Sequence, residues 1–275
     1  MTPPVVRMTQ QQEHEPRRRA AAGIDDRLVV FRNARSYATS QYWALRHLVE
    51  EGRRHGGVSM LAVTSPDTGE GKTTTAINLA GALAQGSEAR VLLIDADLRR
   101  PAVARRLGLE LDRAGLAEAI LDRALSLTAV AEPVSGFNLS VVRAGGVGDT
   151  SYEVLHSPRV GDLLQEARAQ YDYIIVDTAP LLPIPDARIV GKWVDGFLLV
   201  VGADRTPRKM VEESLNLMAP EKVIGIVFNG DHRSADGHDY YEHAGAAAAA
   251  ARPGWPRRLV AGLRRRPLER NTPWR

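Results

Sequence analysis

At 275 residues the chain has room for one α/β domain with extensions, and with 44% hydrophobic residues it can bury a core of ordinary size. The absence of cysteine excludes a disulfide framework and a thiolate zinc site, and no run of about 18 apolar residues marks a membrane-spanning helix. The net charge of +3 is unevenly placed: residues 252–275 hold eight arginines against the single acid Glu269, so the basic character belongs to a C-terminal tail.

Residues 1–25 are rich in Gln, Arg and Pro without periodicity and read as a disordered segment that lacks the apolar stretch of a secretion signal. Tyr42, Leu45 and Leu48 recur at intervals of three and predict a helix over 36–51, broken by Gly52, Gly56 and Gly57. Residues 58–64 form a continuous apolar run and predict a buried strand. A glycine-rich loop follows, then an Ala- and Leu-rich helix over 72–84. Further strands are predicted at 91–94, 139–142, 173–176, 197–201 and 223–228. Helical stretches lie between them, around 101–107, 116–125, 160–169, 187–192 and 210–218. Short apolar strands without polar alternation, separated by helices, specify an α/β fold with a parallel sheet covered on both faces. Right-handed crossovers then set every strand's C-terminal end along one edge, where such sheets bind ligands. Beyond residue 230 the order fades into a polar segment, an Ala run at 246–251 and the Arg-rich end. The expected division is therefore 1–25, a folded domain over 26–230, and a flexible tail over 231–275.

Three stretches carry chemistry. Thr64-Ser65-Pro66-Asp67-Thr68-Gly69-Glu70-Gly71-Lys72-Thr73-Thr74 leaves a strand and opens a helix, the context in which a phosphate-binding loop is expected. Glycines let its backbone N–H groups turn toward phosphate oxygens, and the helix N-terminus adds partial positive charge. Thr68 to Thr74 would line the nucleotide phosphates, with Lys72 reaching the β- and γ-phosphates and the Thr73 hydroxyl on Mg²⁺. The strict pattern has Gly where Pro66 stands, so this loop is a variant. Asp95 and Asp97 end the second strand at the crevice edge, one suited to supporting Mg²⁺ and the other to accepting a proton from an attacking hydroxyl. Asp177 follows four apolar residues at the end of another strand and is the expected second support for the metal. His232, His238 and His243 share a polar loop with three aspartates, but their spacing matches no regular metal site.

Together these motifs resemble the deviant phosphate-loop ATPases, which include the chromosome-partition and division-site ATPases and the bacterial tyrosine kinases of capsule and exopolysaccharide synthesis. Leu92-Leu93-Ile94-Asp95-Ala96-Asp97-Leu98-Arg99-Arg100-Pro101 and Tyr171-Asp172-Tyr173-Ile174-Ile175-Val176-Asp177-Thr178-Ala179-Pro180 are similar to the kinases' second and third nucleotide motifs. Partition ATPases carry a signature lysine where this chain has Asp67, which favours the kinases. The resemblance, over about 26–230, implies a phosphate-loop NTPase fold. It implies Lys72, Asp95 and Asp97 as catalytic residues, Thr73, Asp95 and Asp177 around Mg²⁺, and Asn229 as a reader of adenine. It implies phosphoacceptor tyrosines in the tail, where this chain has Tyr240 and Tyr241. The kinases' oligomer-forming helix carries one Glu and two Arg at intervals of three; the matching positions here are Ser40, Trp43 and Arg46.

The function implied is an ATP-dependent, autophosphorylating protein-tyrosine kinase that regulates polysaccharide polymerisation and export. It would be cytoplasmic, self-associating, and recruited to the inner face of the membrane by a transmembrane polysaccharide copolymerase. The Arg-rich tail would help by touching anionic lipid, and nucleic acid is not an expected partner. The alternatives are a positioning-type ATPase switch and an ATP-binding scaffold without phosphotransfer.

Overall fold

The computed structural model describes residues 23–33, 36–85, 88–146 and 151–230; the N-terminal segment, Tyr240, Tyr241 and the Arg-rich tail lie outside the described residues. In chain order the elements are α1 (Val29–Arg32), α2 (Tyr37–Gly56), β1 (Met60–Thr64), α3 (Lys72–Gln85), β2 (Val91–Asp95) and α4 (Val103–Leu107). There follow α5 (Leu116–Leu121), α6 (Leu127–Val130), β3 (Glu132–Pro133), β4 (Leu139–Val142), α7 (Ser151–Leu155) and α8 (Arg159–Gln170). The remainder comprises β5 (Tyr173–Asp177), α9 (Asp186–Val190), β6 (Gly196–Gly202), α10 (Arg208–Asn216) and β7 (Val223–Asn229).

The strands form one seven-stranded sheet in the order β3-β4-β2-β5-β1-β6-β7. Every pairing is parallel except β3 with β4, where Glu132 and Pro133 make a short antiparallel edge. Alternate residues of each central strand enter opposite cores, as the period of two requires. Met60, Ala62, Leu92, Ile94, Ile174 and Val176 pack with helices α5 to α9 on one face. Leu61, Val63, Val91, Leu93, Tyr173 and Ile175 pack with α1 to α4 on the other. Both faces being covered explains why these strands read as unbroken apolar runs. Two-sided burial does not account for the run at β7, an edge strand on which Ile226 and Phe228 remain exposed.

Helix α2 differs from the sequence expectation. It starts at the Ser36 cap, whose Oγ accepts from Thr39 N–H, but runs through Gly52 and closes only at Gly57, in the left-handed region at φ 67°. A lone helical glycine costs about 1 kcal/mol, and Gly52 is buried in a helix whose other residues continue the pattern. Gly57 stops the chain because its N–H bonds to the Arg53 and Gly52 carbonyls, satisfying groups that the helix leaves open. Four short elements were not expected: α1, α6, α7 and β3 have two to five residues each, too few to display a period.

Candidate active site

The phosphate loop spans Ser65 to Gly71 between β1 and α3, at the C-terminal edge of the sheet. Gly69 and Gly71 have φ of 76° and 95°, which side-chain-bearing residues rarely adopt. At Gly71 space forbids a side chain as well, since a Cβ would lie 2.0 Å from Asn229 Nδ2. Ser65 Oγ donates to the Asp67 carbonyl at 2.6 Å, and Thr75 N–H donates to the Gly71 carbonyl at 2.9 Å as α3 begins.

Lys72, Asp95, Asp97 and Asp177 converge beside this loop. Lys72 Nζ lies 2.7 Å from Asp97 Oδ2, 3.4 Å from Thr73 Oγ1 and 4.0 Å from Asp177 Oδ1. Burial disfavours the Lys72 ammonium, but Asp177, then Asp97 and Asp95, outweigh it and raise its pKa, so the charge stays. Asp95 does local structural work: Oδ2 accepts from Ala102 and Val103 N–H at 3.0 Å each, and Oδ1 accepts from Asp97 N–H at 3.2 Å. It thereby fixes the turn that presents Asp97. Asp97 Oδ1 accepts from Arg100 N–H at 3.1 Å, which leaves Oδ2 for Lys72.

Asp177 is the unusual member. It is fully buried and neither carboxylate oxygen has a hydrogen-bond partner. Burial pushes its pKa up, opposed by the Lys72 ammonium and the Thr73 hydroxyl; Asp95 is likewise raised by burial and then by the charge of Asp177. A buried carboxylate with no well-formed hydrogen bond, beside the Thr73 hydroxyl, offers hard oxygen ligands, so the donor chemistry here fits Mg²⁺.

Other side chains make contacts at the site that their sequence positions did not specify. Arg106 on α4 donates from Nη1 to Thr74 Oγ1, so the Thr74 hydroxyl is engaged beside α4. Arg99 Nε donates to Asp186 Oδ2 at 3.1 Å and ties the turn after β2 to α9. Asn229 Nδ2 donates to the Glu70 carbonyl at 2.9 Å, so the amide expected to read adenine is seated on the phosphate loop. Thr68 and Gly69 are exposed at the loop crest.

Residues 61–247 match the CobQ/CobB/MinD/ParA nucleotide binding domain family. The tyrosine-protein kinase YwqD of Bacillus subtilis is 31% identical over 231 residues, covering 83% of this chain and 95% of YwqD. The chain belongs to the bacterial tyrosine-kinase family. The tyrosine-protein kinase wzc of Salmonella typhi is 32% identical over 190 residues, which are 67% of this chain and 26% of that protein. This chain of the kinase family therefore spans about a quarter of the length of wzc, against nearly all of YwqD. Among solved structures, the kinase domain of Escherichia coli tyrosine kinase ETK superposes with a TM-score of 0.71 at 29% identity, covering 82% of this chain and 86% of that domain. Among the described residues of this family member, no helix is long and apolar enough to cross a membrane.

The strained electrostatics at Asp177 make a stability prediction. A carboxyl whose folded pKa is raised contributes stability that is full below the ordinary carboxylate range and is lost as pH rises through the raised value. Asp177→Asn removes that titration, and with it both a carboxylate that crowds Asp95 and a negative charge that faces Lys72. In nucleotide-free protein the unfolding midpoint of the variant relative to wild type should therefore rise as pH goes from 4 to 7.5. Calorimetric scans in which the difference between variant and wild type is the same across that pH range would refute the raised titration of Asp177.

Proposed function

We propose that this chain transfers the γ-phosphoryl group of ATP to tyrosine side chains, and thereby regulates polymerisation and export of an exopolysaccharide or capsule. The observation that supports this reading is the convergence of Lys72 with Asp97, Asp95 and Asp177 at one edge of the sheet, on a chain whose family relatives are named tyrosine kinases. When ATP enters, its phosphates compete with Asp97 for the Lys72 ammonium. Lys72 moves to the β- and γ-phosphates, and the Asp97 carboxylate is released to accept the proton of a tyrosine hydroxyl. The tyrosine oxygen bonds to the γ-phosphorus as the bond to the β–γ bridging oxygen breaks, and ADP leaves. Thr73 and Asp177 would hold Mg²⁺, with Asp95 acting on it through water; the ion would neutralise charge on the phosphates. Asn229, with Nδ2 committed to the Glu70 carbonyl, has its Oδ1 acceptor left for the adenine amino group.

The acceptors we assign are Tyr240 and Tyr241, delivered by a neighbouring copy. Recruitment would come from a transmembrane polysaccharide copolymerase, with the arginines of 252–275 adding weak, salt-sensitive contact with anionic lipid at the inner face of the membrane. The relative ExoP of Rhizobium meliloti is named a succinoglycan biosynthesis transport protein, which is in keeping with such a partner.

Incubation of the purified protein with Mg-ATP, followed by mapping of phosphotyrosine by mass spectrometry, tests the reading. Phosphate should appear on the tail, and changing Tyr240 and Tyr241 together to Phe should remove that signal. Each phosphate adds about −1.5 to −2 charge next to Asp239 and Glu242, which favours release of the tail from the donor site. No phosphotyrosine anywhere, with ATP still bound, would favour the scaffold. That second reading draws on α2, where Ser40 and an exposed Trp43 stand at positions the kinases fill with charges. The retained Arg46 is held within its own chain by Glu50 and the Ala82 carbonyl. A positioning-type switch is disfavoured by Asp67, which replaces the signature lysine of partition ATPases.

A further inference from the structure

An acid at Glu70 is out of place by electrostatics alone. The loop's backbone N–H groups are arranged for anions, and a carboxylate among them repels the phosphates they are meant to hold. The structure shows where that carboxylate goes. Glu70 is buried, and its Oε1 accepts from Thr206 Oγ1 at 2.7 Å. The same threonine oxygen accepts from Gly202 N–H at 3.1 Å, so its hydroxyl hydrogen is directed to Glu70. The neighbouring Arg205 donates from Nη2 to the Gly69 carbonyl at 2.7 Å. The turn that presents both side chains passes through the left-handed region at Asp204, φ 54°, and closes with Thr206 N–H on the Gly202 carbonyl at 3.0 Å. A Cβ at Gly202 would meet both Arg205 and Thr206 within 3.2 Å, so the turn fits closely beneath them. Ala203 N–H bonds to the Asn229 carbonyl at 2.8 Å, which joins this turn to the residue that supports the Glu70 carbonyl.

We propose that Arg205 and Thr206, on the turn between β6 and α10, are positioning residues for the phosphate loop: they hold the Gly69 carbonyl and the Glu70 carboxylate aside so that the loop's N–H groups face the nucleotide phosphates. Neither residue needs to touch ATP to do this. Burial raises the Glu70 carboxyl while the Thr206 hydroxyl opposes the rise, so the hydrogen bond also sets how much charge the loop carries. The Glu70 Oε2 atom is buried without a partner, so loss of Thr206 leaves the carboxylate with no side-chain donor in its buried setting.

The inference rests on the phosphate-loop reading, and the experiment separates the two. Hydrogen exchange of the 69–72 amides is measured in nucleotide-free protein, alongside Mg-ATP affinity by calorimetry, for wild type, Thr206→Val, Thr206→Ser and Arg205→Ala. Thr206→Val and Arg205→Ala should each speed exchange at 69–72 while leaving β1 and β5 protected, and weaken Mg-ATP binding about tenfold, the effect of one hydrogen bond to a charged group. Thr206→Ser, which keeps the hydroxyl, should restore both. In the Thr206→Val background, adding Glu70→Gln should recover part of the affinity, because the released charge is the source of the loss. Unchanged exchange at 69–72 in both variants would overturn the proposal. So would a loss of protection spread equally over β1 and β5, or a loss of affinity that Thr206→Ser does not restore. A wild type that binds no Mg-ATP, with exchange behaving as expected, would refute the phosphate loop and leave the clamp standing.

Discussion

Lys72→Met should lower the affinity for Mg-ATP by about 10²–10⁴, because two charge-assisted hydrogen bonds to phosphate, each worth roughly 1.5–3 kcal/mol, are lost together. Methionine matches the length of the lysine stem and adds no new polar group. A second consequence follows from the free protein. Lys72 faces three buried carboxylates and is paired with Asp97 at 2.7 Å. Removing one partner of a buried pair typically costs about 3–5 kcal/mol, because the remaining charge is left uncompensated. The variant should therefore also unfold more easily, and part of that loss should return in the double variant Lys72→Met with Asp97→Asn. Calorimetric titration and thermal unfolding read the two effects separately. An affinity for Mg-ATP equal to that of the wild type would remove Lys72 from the phosphate site.

Asp97→Asn should do the reverse to binding and chemistry. Asparagine keeps the shape but cannot accept a proton, and general-base roles are worth roughly 10²–10⁴ in rate. Phosphotransfer should fall by that factor. Nucleotide affinity should hold or rise, because Asp97 competes with the phosphates for Lys72 in the free protein and contributes negative charge beside them. The pattern to look for is a low kcat with an equal or smaller KM for ATP. If the variant phosphorylates tyrosine at the wild-type rate, Asp97 serves only to park Lys72, and the proton must go elsewhere.

How much of this was readable beforehand depends on what each residue signals locally. Asp95, Asp97 and Asp177 were readable because each sits at or just past the end of an apolar strand, and Lys72 and Thr73 because a glycine-rich loop leaves a strand and opens a helix there; a parallel sheet brings these strand ends to one edge. Asn229 was named through the family resemblance, but its contact with the Glu70 carbonyl depends on where the end of β7 lies beside the loop, which no motif encodes. Thr206 meets Glu70 across 136 positions of sequence, and Arg106 meets Thr74 across 32. Thr206 comes from a turn with no period and no motif, and the helical reading of 101–107 places Arg106 on a helix without saying what it touches, so only the packed fold could reveal either contact. Asp95 was legible as an acid at the edge, yet its work on the Ala102 and Val103 amides was not, because the turn after β2 had to be built first. Helix α2 was legible in its middle and misread at its end, since burial of Gly52 outweighs a local propensity of about 1 kcal/mol.

The position of β1 has a bearing on how the molecule comes into being. Its neighbours in the sheet are β5 and β6, with Met60 beside Ile174 and Leu61 beside Gly196. The strand that launches the phosphate loop is thus made early and stays without either partner until more than a hundred further residues have followed. At translation rates of about 5–20 residues per second, that interval lasts several seconds. During it an apolar strand with two open edges is exposed, and pairings between residues so far apart form slowly. The nucleotide site cannot exist in a nascent chain that ends before β5, so ATP has nothing to bind until the central sheet closes. Refolding should accordingly be slow and prone to aggregation at high concentration, and a ligand added at the start should leave the folding rate unchanged while slowing unfolding.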